Sequence, residues 1–409
     1  MRFFALTLAL IGIGTPAFAG DLLALKARKL YVGNGEILEH AVLLIDDGKI
    51  VTIGEDLPIE PGIPVRELDD DQVVVPGFVN AYTRLGDGEN GRSGVNPHVK
   101  AGDGYYPTRD LEGFLEAGVV LAGYYAPGRG ITGQTAAMRP LWKGPGSPIL
   151  KDSVYLKITM RSAKSDKDMI SGIYDDLEKF REKETKAKEK YDKAKEKAEE
   201  EKDKDKKKEA LAKLGDYSPL KPDPKTEAFL RLESKELPVL LSIDSAGTLL
   251  HFEQVLKDKP MQYSLRLPLS LESDFGHIKE QVGKAGAIVV MDPTLTVNPG
   301  TRQQRNLPAE FAAAGAHLVL IPRNDNARGH ENWREEVAVM IRAGLDENIA
   351  LRAMTLEPAN LLGMGETHGS LEVGKFADLL VLSADPFEPG SEVEAVMIEG
   401  DFVHGEVGL

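Results

Sequence analysis

The chain of 409 residues contains no cysteine, which removes disulfides, thiol nucleophiles and lipid-anchored cysteines from consideration. Positive charge is in deficit: 50 Lys and Arg stand against 65 Asp and Glu. The resulting net charge of -15 argues against nucleic acid as a partner, because binding the phosphate backbone calls for a basic face. Histidine is sparse, and none of the eight is two or four residues from another. Neither the His-x-His nor the His-x3-His spacing that brings two imidazoles to one zinc ion from a single element is therefore available. No G-x-S-x-G elbow of a serine hydrolase occurs. After the first twenty residues no apolar run approaches the roughly 20 residues that a membrane span needs. What the chain does have is 42% hydrophobic residues, enough for a substantial core in one large domain or two smaller ones.

The opening "MRFFALTLALIGIGTPAFAG" places Arg2 before an apolar run and Ala17-Phe18-Ala19 after it. A basic start, a short apolar stretch and a small-x-small site are the parts of a secretory signal peptide, so residues 1–19 are expected to be removed after Ala19. The expected location is a bacterial periplasm or the exterior, with no stable membrane insertion after cleavage.

Residues 20–72 read as short strands with turns at Asn34-Gly35 and Asp46-Asp47-Gly48. Residues 356–409 open on a last helical region and then repeat that style, with apolar runs Leu379–Leu382 and Val396–Ile398. Neither end can bury an apolar face alone, so the two are expected to form one small β-sandwich domain together. Between them, in residues 73–355, apolar runs alternate with helical stretches: Val73–Val79, Gly118–Tyr125, Val154–Met160, Pro238–Ile243, Tyr263–Leu267, Ala287–Met291 and His317–Ile321. The alternation predicts an α/β fold, a (β/α)8 TIM-like barrel with one strand unplaced; an open doubly wound sheet is the alternative.

Residues 175–225 interrupt the pattern as a charged helical insertion. Glu182–Lys186, Glu184–Lys188, Glu189–Lys193 and Glu209–Lys213 are spaced i,i+4, each pair stabilising a solvated helix by about 0.2–0.5 kcal/mol. A thin stripe runs through Ile173, Leu177, Phe180, Ala187, Tyr191, Ala194 and Ala198. This describes an exposed helix or helical hairpin in a barrel loop; a docking arm for a partner helix is the alternative. The three prolines of "GDYSPLKPDPK" break any helix there.

Gly128, Gly130 and Gly133 match G-x-G-x-x-G, yet the following "QTAAMRPLWKGPGSP" has no acidic residue at a second strand end and carries three prolines. A loop at a strand end fits better than a dinucleotide site. His317 and His251 adjoin apolar runs and read as structural histidines, whereas His98, His277, His330, His368 and His404 sit in polar or turn contexts. Barrel sites are built at strand C-termini, which singles out Asp244, Asp292 and Asp325, each of which could equally cap a helix.

"IDDGKIVTIGE", "VVVPGFVNAYTRLG", "GITGQTAAM" and above all "IRAGLDENIALRAMTLEPANLLGMGETHGSLEVGKFADLLVLSADPF" together resemble the amidohydrolase superfamily, specifically its imidazolonepropionase-like secreted members. The resemblance covers nearly all of the mature chain except the charged insertion. It implies a barrel with a composite β domain and metal-dependent hydrolysis of non-peptide C–N bonds in amides or cyclic amides. Active members carry His-x-His at the end of the first barrel strand; here those positions hold Tyr82 and Arg84, with Asn80 where an Asp is usual. Later strands that would supply histidine ligands read "PVLLSID" and "YSLRLPLSLES", and the family's last ligand, an Asp, has only Asp325 as a shifted counterpart after Arg323-Asn324. A catalytic zinc takes about three protein ligands, so no metal and no other cofactor is expected; a rearranged site for a divalent metal such as zinc is the alternative. The reading is an impaired hydrolase or, alternatively, a non-catalytic ligand-binding or partner subunit of an active amidohydrolase. Asp325 is the candidate catalytic group, and Tyr82, Arg84, Lys157, Asp244, Asp292 and Arg323 are candidates for a pocket that takes a small, anionic ligand. A homo-oligomer or an active amidohydrolase is the expected protein partner.

Overall fold

The computed structural model describes residues 22–85, 93–106, 112–140, 147–257 and 259–405. The expected signal peptide lies outside these residues. The chain begins with β1 (Leu23–Tyr31), β2 (Ile37–Asp46), β3 (Lys49–Glu55), β4 (Val65–Glu67) and β5 (Val73–Pro76). Then come β6 (Phe78–Thr83), β7 (Gly94–Val95), α1 (Glu112–Glu116), β8 (Val119–Tyr124), β9 (Gly130–Met138) and β10 (Ile149–Met160). Helices α2 (Lys164–Glu199), α3 (Lys204–Leu214) and α4 (Pro224–Glu233) precede β11 (Val239–Ile243), α5 (Ala246–Leu256), β12 (Tyr263–Leu267), α6 (Lys279–Lys284) and β13 (Ile288–Met291). A small hairpin, β14 (Thr296–Val297) with β15 (Gln304–Arg305), leads to α7 (Leu307–Ala313) and β16 (His317–Leu320). The chain ends through α8 (Ala327–Glu331), α9 (Trp333–Arg342), α10 (Glu347–Met354), α11 (Leu356–Leu361), β17 (Leu379–Leu382), β18 (Val393–Ile398) and β19 (Asp401–His404).

The two ends of the chain share one eight-stranded sheet in the order β19-β18-β17-β5-β1-β2-β3, with β4 also paired to β1. Its own core, including Leu25, Leu43, Val74, Leu379 and Met397, draws on both ends, which is why neither end could fold alone.

The central sheet runs β6-β8-β9-β10-β11-β12-β13-β16 and forms a TIM-like barrel. The expected run Val73–Val79 divides at Pro76-Gly77: its first half is β5 of the composite sheet and its second half opens the barrel as β6. Continuous hydrophobicity conceals the change because both halves are fully buried. The unplaced barrel strand is β9, which includes Gly130 and Gly133 of the glycine motif, so the loop expected there is corrected to a strand. It pairs antiparallel with both β8 and β10, whereas β6/β8, β10/β11, β11/β12, β12/β13 and β13/β16 are parallel. The glycines serve close approach. A Cβ on Gly130 would sit 2.6 Å from the Gly94 carbonyl oxygen and one on Gly133 2.5 Å from that of Val99, and both residues have positive φ.

The charged stretch expected over residues 175–225 contains most of α2 and all of α3, which span Lys164–Glu199 and Lys204–Leu214. Helix α2 starts at Lys164, and its first turns bury Ile170, Ile173, Tyr174 and Leu177 against the barrel. Beyond them α2 and α3 run on as a hairpin: Tyr191 packs on Tyr217 at 5.3 Å and its Oη donates to the Gly215 carbonyl at 2.7 Å. Of the spaced pairs, Glu182 and Lys186 approach to 3.7 Å. Pro224 opens α4 rather than breaking a helix, since its missing N–H falls in the first turn, behind Asp223 as N-cap.

Candidate functional site

The ends of the central sheet are drawn together by side chains. Asp325, beyond β16, accepts from the Thr83 hydroxyl at 2.6 Å and from the Arg84 backbone N–H at 2.9 Å. Below that tie, Asn80 on β6 meets His330 of α8. The His330 Nδ1 lies 2.8 Å from the Asn326 carbonyl, so it carries the proton, and Nε2 accepts from the Asn80 amide at 2.8 Å. Burial lowers the pKa of this imidazole and keeps it neutral.

The barrel mouth carries a tiered stack. Tyr82 lies face to face with Tyr125, ring centroids 4.0 Å apart and planes inclined by 23°. The outer face of Tyr125 carries the Lys157 ammonium 4.8 Å from its centroid, and the Arg266 guanidinium lies 5.7 Å from the Tyr82 centroid. Arg266 is bound to Asp292 at 2.7 Å, and the other Asp292 oxygen accepts from the Leu269 N–H at 3.1 Å. Lys157 is only 3% exposed and donates to the Gly128 carbonyl at 3.2 Å. Burial and then the charge of Arg84 push its pKa down to about 8. Burial raises the pKa of both tyrosines and keeps the phenols protonated.

Tyr82, Arg84, Lys157, Asp292 and Asp325 of the expected site thus come together. Asp325 spends both carboxylate oxygens holding the Thr83-Arg84 turn, so the expected catalytic group is a positioning residue. Arg323 is exposed beside Glu336, whose pKa is raised by burial against the opposing Arg323 charge. Asp244 does not join: it is exposed and accepts from the Thr248 hydroxyl at 2.7 Å, while Ser245 is the N-cap of α5. Sequence reading passed over Tyr125 and Arg266, although a charged residue within the apolar strand "YSLRL" was a signal for the latter. Three histidines depart from expectation: His330 and His368 are buried, whereas the His317 side chain is 51% exposed and faces Glu357. A separate groove of about 670 Å³, lined by Glu116, Arg334, Arg342, Phe387 and Glu392, lies beside the chain that enters β8, away from the mouth.

The donor set does not fit a divalent metal. The two carboxylates at the mouth are engaged, His330 is committed at both nitrogens, and Arg84, Lys157 and Arg266 place three cationic side chains where a metal's charge would sit. Among the described residues no group of three or more His, Asp or Glu is placed to hold a metal ion.

Comparison with known proteins agrees with the fold. The amidohydrolase family model matches residues 269–403. A protein of Nematostella vectensis named "Probable imidazolonepropionase" is 54% identical over 39 residues, a stretch covering 10% of this chain and 9% of that protein. The chain aligns with an amidohydrolase from Thermotoga maritima MSB8 at TM-score 0.71 and 23% identity, over 94% of this chain and 100% of the other. It aligns with a prolidase solved with N-methylphosphonate-L-proline at TM-score 0.53 and 14% identity, over 94% and 100% of the two chains. At such identities the structural likeness speaks for the fold alone. The family match over residues 269–403 and the barrel joined to a sheet from both chain ends make the chain similar to the amidohydrolases.

Proposed function

We propose that this chain is an exported amidohydrolase-family protein that binds a small organic anion at the barrel mouth and has lost metal-activated hydrolysis of C–N bonds. The observation that supports this reading is the stack itself: Tyr82 occupies one position of the family's His-x-His and is held between Tyr125 and Arg266. Arg84 occupies the other, and Lys157 has no carboxylate within hydrogen-bond reach in its described contacts. A buried ammonium without a counter-ion is costly, and an anionic ligand supplies the missing charge. The test has two arms on the purified mature protein. Elemental analysis after expression with zinc, manganese and iron present should show no stoichiometric metal. Thermal shifts across carboxylates and phosphates should show stabilisation by a subset, with no turnover of amides or cyclic amides. One tightly held metal per chain together with amide hydrolysis would sink the proposal.

A further inference from the structure

Four observations converge on Lys157. It lies in a parallel strand of the barrel, at the step where Lys157 is in register with Leu240 on β11. Its Nζ rests on the Tyr125 ring and makes a single hydrogen bond to a neutral partner, the Gly128 carbonyl. Arg84 bears on it as a second cation from the turn after β6. The Tyr125 ring under it is stacked on Tyr82, and burial keeps both phenols neutral. Desolvation and a neighbouring cation are the two physical means by which a lysine amine becomes nucleophilic near neutral pH.

We propose that Lys157 forms an imine with a small 2-oxo acid, whose carboxylate is received by Arg84. This rests on the anion-binding reading above and names the ligand's chemical class. The Nζ lone pair adds to the ketone carbon to give a carbinolamine. The former carbonyl oxygen then leaves as water, carrying the two protons lost from the amine nitrogen, and a C=N bond takes the place of C=O. Atoms balance as amine plus ketone going to imine plus water, with no redox change. Water carries the protons from the nitrogen to the departing oxygen. Exposed lysines of the α2–α3 arm lack this desolvation and the neighbouring Arg84, so the reaction is specific to the barrel mouth.

The probe is pyruvate with sodium cyanoborohydride, which reduces an imine to a stable secondary amine, and the readout is peptide mass mapping of the full mature chain across a pH series. The expected result is a 1-carboxyethyl adduct concentrated at Lys157, with labelling that rises to half its maximum near pH 8, below the ordinary range for lysine. Lys157→Met should abolish that adduct. Arg84→Gln, which leaves the amine in place, should weaken pyruvate labelling and move the pH midpoint upward. Labelling spread over exposed lysines with none at Lys157 would overturn the proposal. Stabilisation by pyruvate without any adduct would overturn the imine while leaving anion binding standing, whereas no stabilisation by any organic anion would remove both.

Discussion

Arg139, at the end of β9, donates from one guanidinium nitrogen to Asp378 Oδ2 at 2.8 Å and from the other to Asp378 Oδ1 at 3.3 Å, joining the barrel to the segment that enters β17. The second nitrogen also reaches Glu399 at 2.7 Å, and the first reaches the Val120 carbonyl at 3.1 Å. The Arg139 side chain is 0% exposed and that of Asp378 3%. Removing one member of such a buried pair leaves a charge without water or partner, at a cost of about 3–5 kcal/mol. Arg139→Met should lower the urea midpoint accordingly, and Arg139→Met with Asp378→Leu should recover most of the loss. A single substitution with an unchanged midpoint would mean that the pair does not hold the two parts together.

Lys157 should leave a signature in the dependence of stability on pH. Its pKa in the folded protein, about 8, is below the unfolded value of 10.5. Between these values the unfolded chain binds more protons, so this group's contribution to stability rises with pH from about 8 toward 10.5 and is constant and unfavourable below 8. The full contribution is on the order of 3 kcal/mol. Wild type minus Lys157→Met in urea unfolding should therefore vary with pH across that window and be flat below it. A flat difference throughout would contradict a desolvated amine.

Asp325→Ala should cost about 1–3 kcal/mol, because the buried Thr83 hydroxyl and the Arg84 N–H lose their acceptor. Anion affinity should fall with it, since Arg84 is held by that turn. Equal affinity at unchanged stability would show that the Thr83-Arg84 turn needs no such tie.

The arm should separate cleanly from the barrel. Leu177→Ala, at the buried foot of α2, should cost about 2–5 kcal/mol in chemical unfolding. Removal of residues 185–215 should leave the thermal midpoint unchanged, because Tyr217 Oη already lies 3.5 Å from the Glu184 carbonyl and the cut ends are close. A large drop from that deletion would show that the hairpin contributes to the core.

The sequence disclosed the parallel strands and the composite sheet because long apolar runs and turn residues carry those signals locally. It concealed β9 because that strand is rich in glycine and polar residues. Thr132 donates to the Ala126 carbonyl at 2.9 Å and Gln134 to that of Pro97 at 2.7 Å, so these side chains are buried with partners rather than solvated. The place of Tyr82 and Arg84 at the end of the first barrel strand was legible from the sequence alone. The stack around them was not, since Tyr125 and Arg266 reach Tyr82 from separate segments that only the folded barrel brings together. The buried histidines went unrecognised for the same reason: His330 and His368 are enclosed by distant segments, Phe114 at 4.5 Å from the one and Arg139 at 3.4 Å from the other.

Strand β9 is pinned at both ends. At one, the carbonyl of Gly128 just ahead of it accepts from Lys157; at the other, Arg139 just past it is clamped by Asp378. Its glycines also fit only where the Gly94 and Val99 carbonyls leave room for them. A slip of even one residue along its neighbours would pull out both pins and drive a Cβ into main chain, so this strand has a single permitted register. The spacing between the barrel mouth and the joint to the composite sheet is thereby a fixed length of chain.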